Sequence, residues 1–359
     1  MISRIAGACA VFVLVASAVA AAQTYTVTDI GVIKGDNESS GFWLNNLGEV
    51  VGCSDTATLE GYPCTGLVPG QHAFSWTKSG GLKDLGTLSG ATVSGAIGVN
   101  DSGVVVGYSN VKGQLATNFV ATQWSSTGAI TNLGTLWGGA SSAAFEINSS
   151  GEVAGDSFLS SGVVNATSWT SNKIKNLGAL PKSIFTAGLD INDSGEVVGE
   201  SVFGYGPPFT SHAFSWSNSN MKDLGTLTGG ITSIANSVNS SGVIVGQSDG
   251  SSTKGYWHAV LWSAANKIQD LGTLVGGNYS VAFGVNDSSV VVGYGNVWNN
   301  AAHAMVWTSS EGMQDLNNLI PASSGWVLVE ANAINNAGQI TGYGLKGGHN
   351  HAFLLTPVN

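Results

Sequence analysis

A phrase of nine residues occurs seven times along this chain, and that repetition constrains the fold more than any other feature. V-N-D-S-G-V-V-V-G begins at Val99 and returns with small changes at Ile147, Ile191, Val238, Val285 and Ile334, with an earlier copy from Leu44. Its leading asparagines, Asn45, Asn100, Asn148, Asn192, Asn239, Asn286 and Asn335, are separated by 55, 48, 44, 47, 47 and 49 residues. Periods of that size belong to propellers and solenoids. A residue present in every copy is most simply one that folds each copy, so the repeat speaks to architecture and leaves function to what differs between copies.

Two more phrases complete the unit. H-A-F-S-W stands at 72–76 and 212–216 and returns in looser form from His258, His303 and His351, while the copies ending at Trp124 and Trp169 carry Val120 and Asn165 in place of the histidine. D-L-G-T-L stands at 84–88 and recurs from Asp223 and Asp270, with relatives from Asn132, Asn176 and Asp315. Each unit reads as four short strands, with N-D-S-G as the tight turn between the first two. The last unit stops after 351–355 without its own D-L-G-T-L, whereas T-D-I-G-V stands alone at 28–32. The expectation is an all-β, seven-bladed β-propeller of four-stranded blades, its ring closed by the segment 25–33 pairing into the last blade. Four residues before each asparagine stand Gly41, Ala96, Ala144, Gly188, Ala235, Ala282 and Ala331, small enough for inner strands that converge on an axis.

Residues 1–22 read as a signal peptide: Arg4, a short apolar run, then Ala18, Ala20 and Ala22. This leaves 23–359 as a single domain, secreted or extracellular, with a periplasmic destination also open and no membrane span in the mature chain. Cys53 and Cys64 are then expected to form a disulfide in an oxidising compartment. Charged residues make up 9% of the chain, and without Arg4 the 11 remaining basic residues face 22 acidic ones in no basic stripe. Nucleic acid is therefore not an expected partner.

The three linked phrases resemble the HAF-repeat family of probable extracellular repeat proteins, and the resemblance covers 25–359. It implies a bacterial secreted or surface-exposed repeat protein of no established biochemical activity and offers no catalytic residues to transfer. The chain departs from the pattern at Val120, at Asn165 and at Ser289, where the turn lacks its glycine.

The five repeat-slot histidines read as framework satisfied by backbone. His349 and His351 would share one strand face, but no third ligand accompanies them, so no metal and no cofactor is assigned. Glu146 and Asp190 do not recur. Both lie two residues before the asparagine on neighbouring units, where two carboxylates beside a channel suit acid and base work on a glycosidic bond. With His349 they are the catalytic candidates. Aromatic residues on the variable loops form the binding candidates: Trp257, Trp298, Trp326, Tyr256, Tyr294, Trp137 and Tyr205. The favoured reading is a monomeric, non-catalytic module that binds an extracellular polysaccharide or a surface protein. A propeller-type polysaccharide lyase or glycoside hydrolase, and a structural envelope or matrix protein, remain the alternatives.

Overall fold

The structure is a computed structural model and describes residues 23–358 apart from 57–63, 65–69, 113–117, 172, 205, 207 and 264–266. The segment 1–22, read as a signal peptide, and Tyr205 lie outside the described residues. The first repeat sets the pattern: strands Glu38–Leu44, Val50–Asp55, His72–Thr77 and Gly81–Asp84 pair antiparallel in that order. Within it Trp76 faces Val50 and Asp84 faces Phe74, so the three sequence phrases lie side by side in one sheet.

The expectation of seven four-stranded blades is corrected. The structure shows five blades of four strands, not seven, and the eight strands between Ser142 and Asp223 form one continuous sheet. A single parallel pair, Val164 with Phe185, joins its two halves. The connection 159–163 that precedes strand Val164–Thr170 is a tight turn in which Leu159 donates its N–H to the Val163 carbonyl, as Val297 does to Ala301 in the connection 297–301. The first residues of strands Val164–Thr170 and Phe185–Ile191 thus lie opposite each other, and an isolated parallel bridge, Ser211 with Thr232, stands at the equivalent place between the next two units.

Strand Thr24–Gly31 pairs antiparallel with His349–Val358, from Thr24 opposite Val358 to Gly31 opposite Ala352. The first strand thus supplies the outer strand of the last blade. Seven inner strands pack side by side in a closed circle, from Glu38–Leu44 round to Trp326–Ile334, which lies against Glu38–Leu44 again.

The core is divided among the junctions. Trp124 packs with Ala96, Val99 and Val105 of its own repeat and with Val51 and Ala73 of the repeat before; Trp169 does the same against Val106 and Ala121. At the closing junction Phe74 and Trp76 of the first repeat pack with Ala352 and Leu354 of the last. An indole suits this position because its body is apolar and its N–H can reach a backbone carbonyl, as Trp262 Nε1 reaches Leu224 at 3.1 Å. Truncating such a buried indole costs about 3–5 kcal/mol.

Every inner strand carries a β-bulge at the same place, between the small residue and the second residue before the asparagine, for example between Ala96 and Gly98 or Ala144 and Glu146. The bulge explains the glycine that ends V-V-V-G. At Gly107 a Cβ would collide with the Gly95 carbonyl of the inner strand, and at Gly199 with that of Ala187. The disulfide between Cys53 and Cys64 is present.

Candidate functional site

Around the axis the repeated asparagines link into a closed chain. Nδ2 of Asn45 donates to the backbone carbonyl of Asn100, Asn100 to Asn148, Asn148 to Asn192, Asn192 to Asn239, Asn239 to Asn286, Asn286 to Asn335 and Asn335 back to Asn45, at 3.0–3.2 Å. Each Oδ1 meanwhile accepts two N–H groups of its own turn, as Asn45 does from Leu47 and Glu49. The asparagines are therefore structural. The turn carboxylates are engaged too: Asp101, Asp193 and Asp287 accept the N–H groups of Asn46, Ser149 and Ser240 in the repeat before.

Inside this ring lies a cavity of about 190 Å³ bordered by all seven asparagines and by Trp43, Glu146, Asp190 and Ser237. The structure does bring Glu146 and Asp190 together, on strands Ser142–Ile147 and Phe185–Ile191, and buries both, at 4% and 3% exposure. Burial first, and the Asp190 charge second, raise the Glu146 carboxyl well above the usual range. Burial pushes Asp190 up to about 6, against hydrogen bonds from the Val238 N–H, the Ser237 hydroxyl and the Ile191 N–H. Gly98 leaves room for Glu146, since a Cβ there would lie 2.6 Å from its Oε2. His349 borders neither this cavity nor the next; it faces Glu38, 3.3 Å away.

A second axial cavity, of about 310 Å³, lies toward the opposite mouth and shares Trp43 and Glu146 with the first. It is lined by the bulge residue of every inner strand: Phe42, Ile97, Phe145, Leu189, Asn236, Phe283 and Asn332. A bulge re-aims its extra side chain, and here seven bulges aim theirs at one space. Glu330 completes the lining and is pushed up to about 7 by burial, against a hydrogen bond from Tyr343. The bulge residues and Glu330 escaped the sequence reading, which singled out the small residue before each bulge and the carboxylates Glu146 and Asp190 after it. The available signal was a large side chain three residues before most of the asparagines, next to an obligatorily small one.

The histidines are satisfied, though by side chains rather than backbone. His72, His212, His258, His303 and His351 each place Nδ1 against Asp84, Asp223, Asp270, Asp315 and Asp29, at 2.6–3.0 Å. Where the histidine is Asn165 the aspartate is Asn176, and the two amides bond at 3.1 Å. Among the described residues no group of three potential metal ligands occurs.

The aromatic candidates divide. Trp298 is 83% exposed and lies over Gly276, where a Cβ would overlap its indole. Val275 beside it is also exposed, as are Tyr256 and Trp257, and Trp257 Nε1 donates to Thr232 Oγ1 at 3.0 Å. Trp137 is 81% exposed on the turn equivalent to that of Val275. Trp326, in contrast, is 8% exposed and packs edge-on to Phe353 in the core, with Lys346 Nζ 5.2 Å from its ring. Tyr294 stacks on Phe283, backing the wall of the second axial cavity.

No helix among the described residues is long and apolar enough to cross a membrane. No protein-family model matches the chain. No curated protein matches it either. Solved structures do. The chain is similar to the β-propeller domain of the Trilobed protease from Pyrococcus furiosus, described as having an open velcro topology (8% identity, TM-score 0.55, covering 90% of this chain and 98% of that one). It is similar to virginiamycin B lyase from Staphylococcus aureus (10%, TM-score 0.51, 93% and 100%). It is also similar to a puromycin-hydrolyzing peptidase of Mycobacterium tuberculosis (9%, TM-score 0.53, 89% of this chain and 49% of that one). At such identities the likeness shows the fold alone: this chain is an all-β β-propeller.

Proposed function

We propose that this protein is a secreted, non-catalytic binding module of the HAF-repeat type whose ligand is an extracellular glycan. The observation that carries the reading is Trp298: a large ring held flat on the Gly276 turn with most of its surface open. Apolar area left exposed on a rigid support suits stacking against a sugar ring and loses little entropy on binding. Trp257 and Tyr256 offer the same chemistry on the preceding repeat, and the low charge of the chain suits a neutral polysaccharide. The test incubates the mature protein with insoluble and soluble polysaccharides and records both retention and release of reducing or unsaturated ends. Retention that falls on Trp298→Ala, with no new ends, supports the module. Retention indifferent to Trp298→Ala and Trp257→Ala removes it.

The hydrolase or lyase reading is favoured by one observation, the meeting of Glu146 and Asp190 with raised proton affinities at the axis. Against it, the Asp190 oxygens already accept the N–H groups of Ile191 and Val238, at 2.6 and 2.8 Å. Polysaccharide cleavage abolished by Glu146→Gln would establish it.

A further inference from the structure

We propose that the axial cavity bordered by Phe42, Phe145, Phe283 and Glu330 is a second binding site, independent of the loop aromatics, that takes a small apolar ammonium ion. All seven inner strands contribute to it, so its shape is set by the most rigid part of the ring, and about 310 Å³ is within the range of small-molecule sites. Three phenylalanine rings, with Ile97 and Leu189, supply apolar wall, and each remains only half-buried, so a guest would complete their burial.

The polar groups point to the sign of the guest. Two carboxyl side chains, Glu330 and Glu146, border the cavity, and no lysine or arginine does. The two amides in the wall have their N–H groups engaged in part or whole: Asn236 Nδ2 donates to the Ala282 carbonyl at 2.8 Å and to Gln247 Oε1 at 3.3 Å, and Asn332 Nδ2 donates one N–H to the Gly41 carbonyl at 2.8 Å. What they retain is the acceptor oxygen. Apart from the Trp43 indole N–H, the second Asn332 N–H and a carboxyl that holds its proton, the lining offers acceptors. A neutral alcohol brings one donor and no charge, and an anion meets repulsion, whereas a primary ammonium group supplies three donors and positive charge, and aromatic faces attract any cation held over them. The raised proton affinity of Glu330 is in keeping with a carboxyl that has no fixed cation beside it.

Calorimetric titration of the mature protein with phenethylammonium and benzyltrimethylammonium, and with benzyl alcohol as the neutral comparison, tests the site. Binding of the cations at millimolar concentration or below, with no heat from the alcohol, is expected. Glu330→Gln keeps the shape and removes the charge, and it is expected to weaken the cations by about tenfold or more. Phe283→Leu removes one aromatic face and is expected to weaken them by about threefold. Trp298→Ala is expected to leave the affinity unchanged, which separates this site from the glycan reading. Equal binding of benzyl alcohol, no binding of either cation, or indifference to both Glu330→Gln and Phe283→Leu overturns the proposal. Should Glu330→Gln fail to fold, the alcohol comparison and Phe283→Leu decide it.

Discussion

Asn335 donates its side-chain amide to the backbone carbonyl of Asn45, 3.0 Å away in space and 290 residues away in sequence. The bond is the same one that joins Asn45 to Asn100 and each later asparagine to the next. The two ends of the chain are thus held by the device that holds its middle, and the last blade adds the pairing of Thr24–Gly31 to it.

Replacing Asn335 by alanine takes the side-chain amide from the buried Asn45 carbonyl, which keeps the Gly48 N–H, and leaves the N–H groups of Ala337 and Gln339 without their acceptor in a half-buried turn. The expected loss is about 2–4 kcal/mol, read as a lower urea midpoint. A loss under about 1 kcal/mol would show that water replaces the amide without penalty.

Deleting residues 23–31 removes the outer partner of strand His349–Val358 and opens its edge from Ala352 to Val358. Unpaired edges template association. Oligomers or aggregates are expected by light scattering, and a monomeric, cooperatively melting product would show that the outer strand is dispensable.

Ser289 occupies the left-handed region at φ 58°, where the other six repeats have glycine, such as Gly103 at φ 70°. A side chain is strained there, so Ser289→Gly is expected to raise stability by about 0.5–1 kcal/mol in thermal or urea melts. No gain would mean that the greater freedom of glycine in the unfolded chain offsets the relief.

Stability is expected to fall as pH rises from about 4 to 7. Asp190, at about 6, and Glu330 and Asp156, at about 7, hold their protons in the folded protein more tightly than in the unfolded chain. Across that window the unfolded state binds fewer protons, so each group's contribution is intact below its unfolded pKa and is lost as pH rises through its folded one. Each unit of displacement is worth about 1.4 kcal/mol. Melts from pH 4 to pH 8 check this, and Glu330→Gln should flatten the slope. Stability that climbs across the window would contradict the assignment.

Reduction of the Cys53–Cys64 bond frees a segment tied across a sequence separation of 11 residues in a connection of the first repeat. A loop that short corresponds to about 2–3 kcal/mol of unfolded-state entropy. A lower melting temperature with unchanged far-ultraviolet dichroism is expected on reduction, while collapse of the whole spectrum would give the bond a global role.

The strands, their turns and the ring closure by the first strand were legible because each is written into a local pattern that recurs. Asn100, Gly103 and Trp124 announce their roles by returning at a fixed spacing. The pairing of histidine with aspartate was also open to inspection, since Asn165 and Asn176 change together. Two features were not legible. The fusion of two units into one eight-stranded sheet turns on a single contact, Val164 with Phe185, which none of the repeated phrases marks. The axial cavity depends on a bulge, which breaks the two-residue alternation that strand reading relies on and so hides Phe145 and Phe283. The loop candidates were only partly legible: a tryptophan count does not separate Trp298, on the surface, from Trp326, in the core.

Because the strand Thr24–Gly31 pairs with His349–Val358, a chain emerging from the ribosome must carry the first of these strands unmatched until the second, more than 300 residues later, has been made. At roughly 5–20 residues per second that interval is on the order of 15–65 s. Every shorter nascent chain is an open arc with two bare rims, so translation speed and exposure to holding chaperones or proteases bear on this protein's yield as directly as the strength of its finished core.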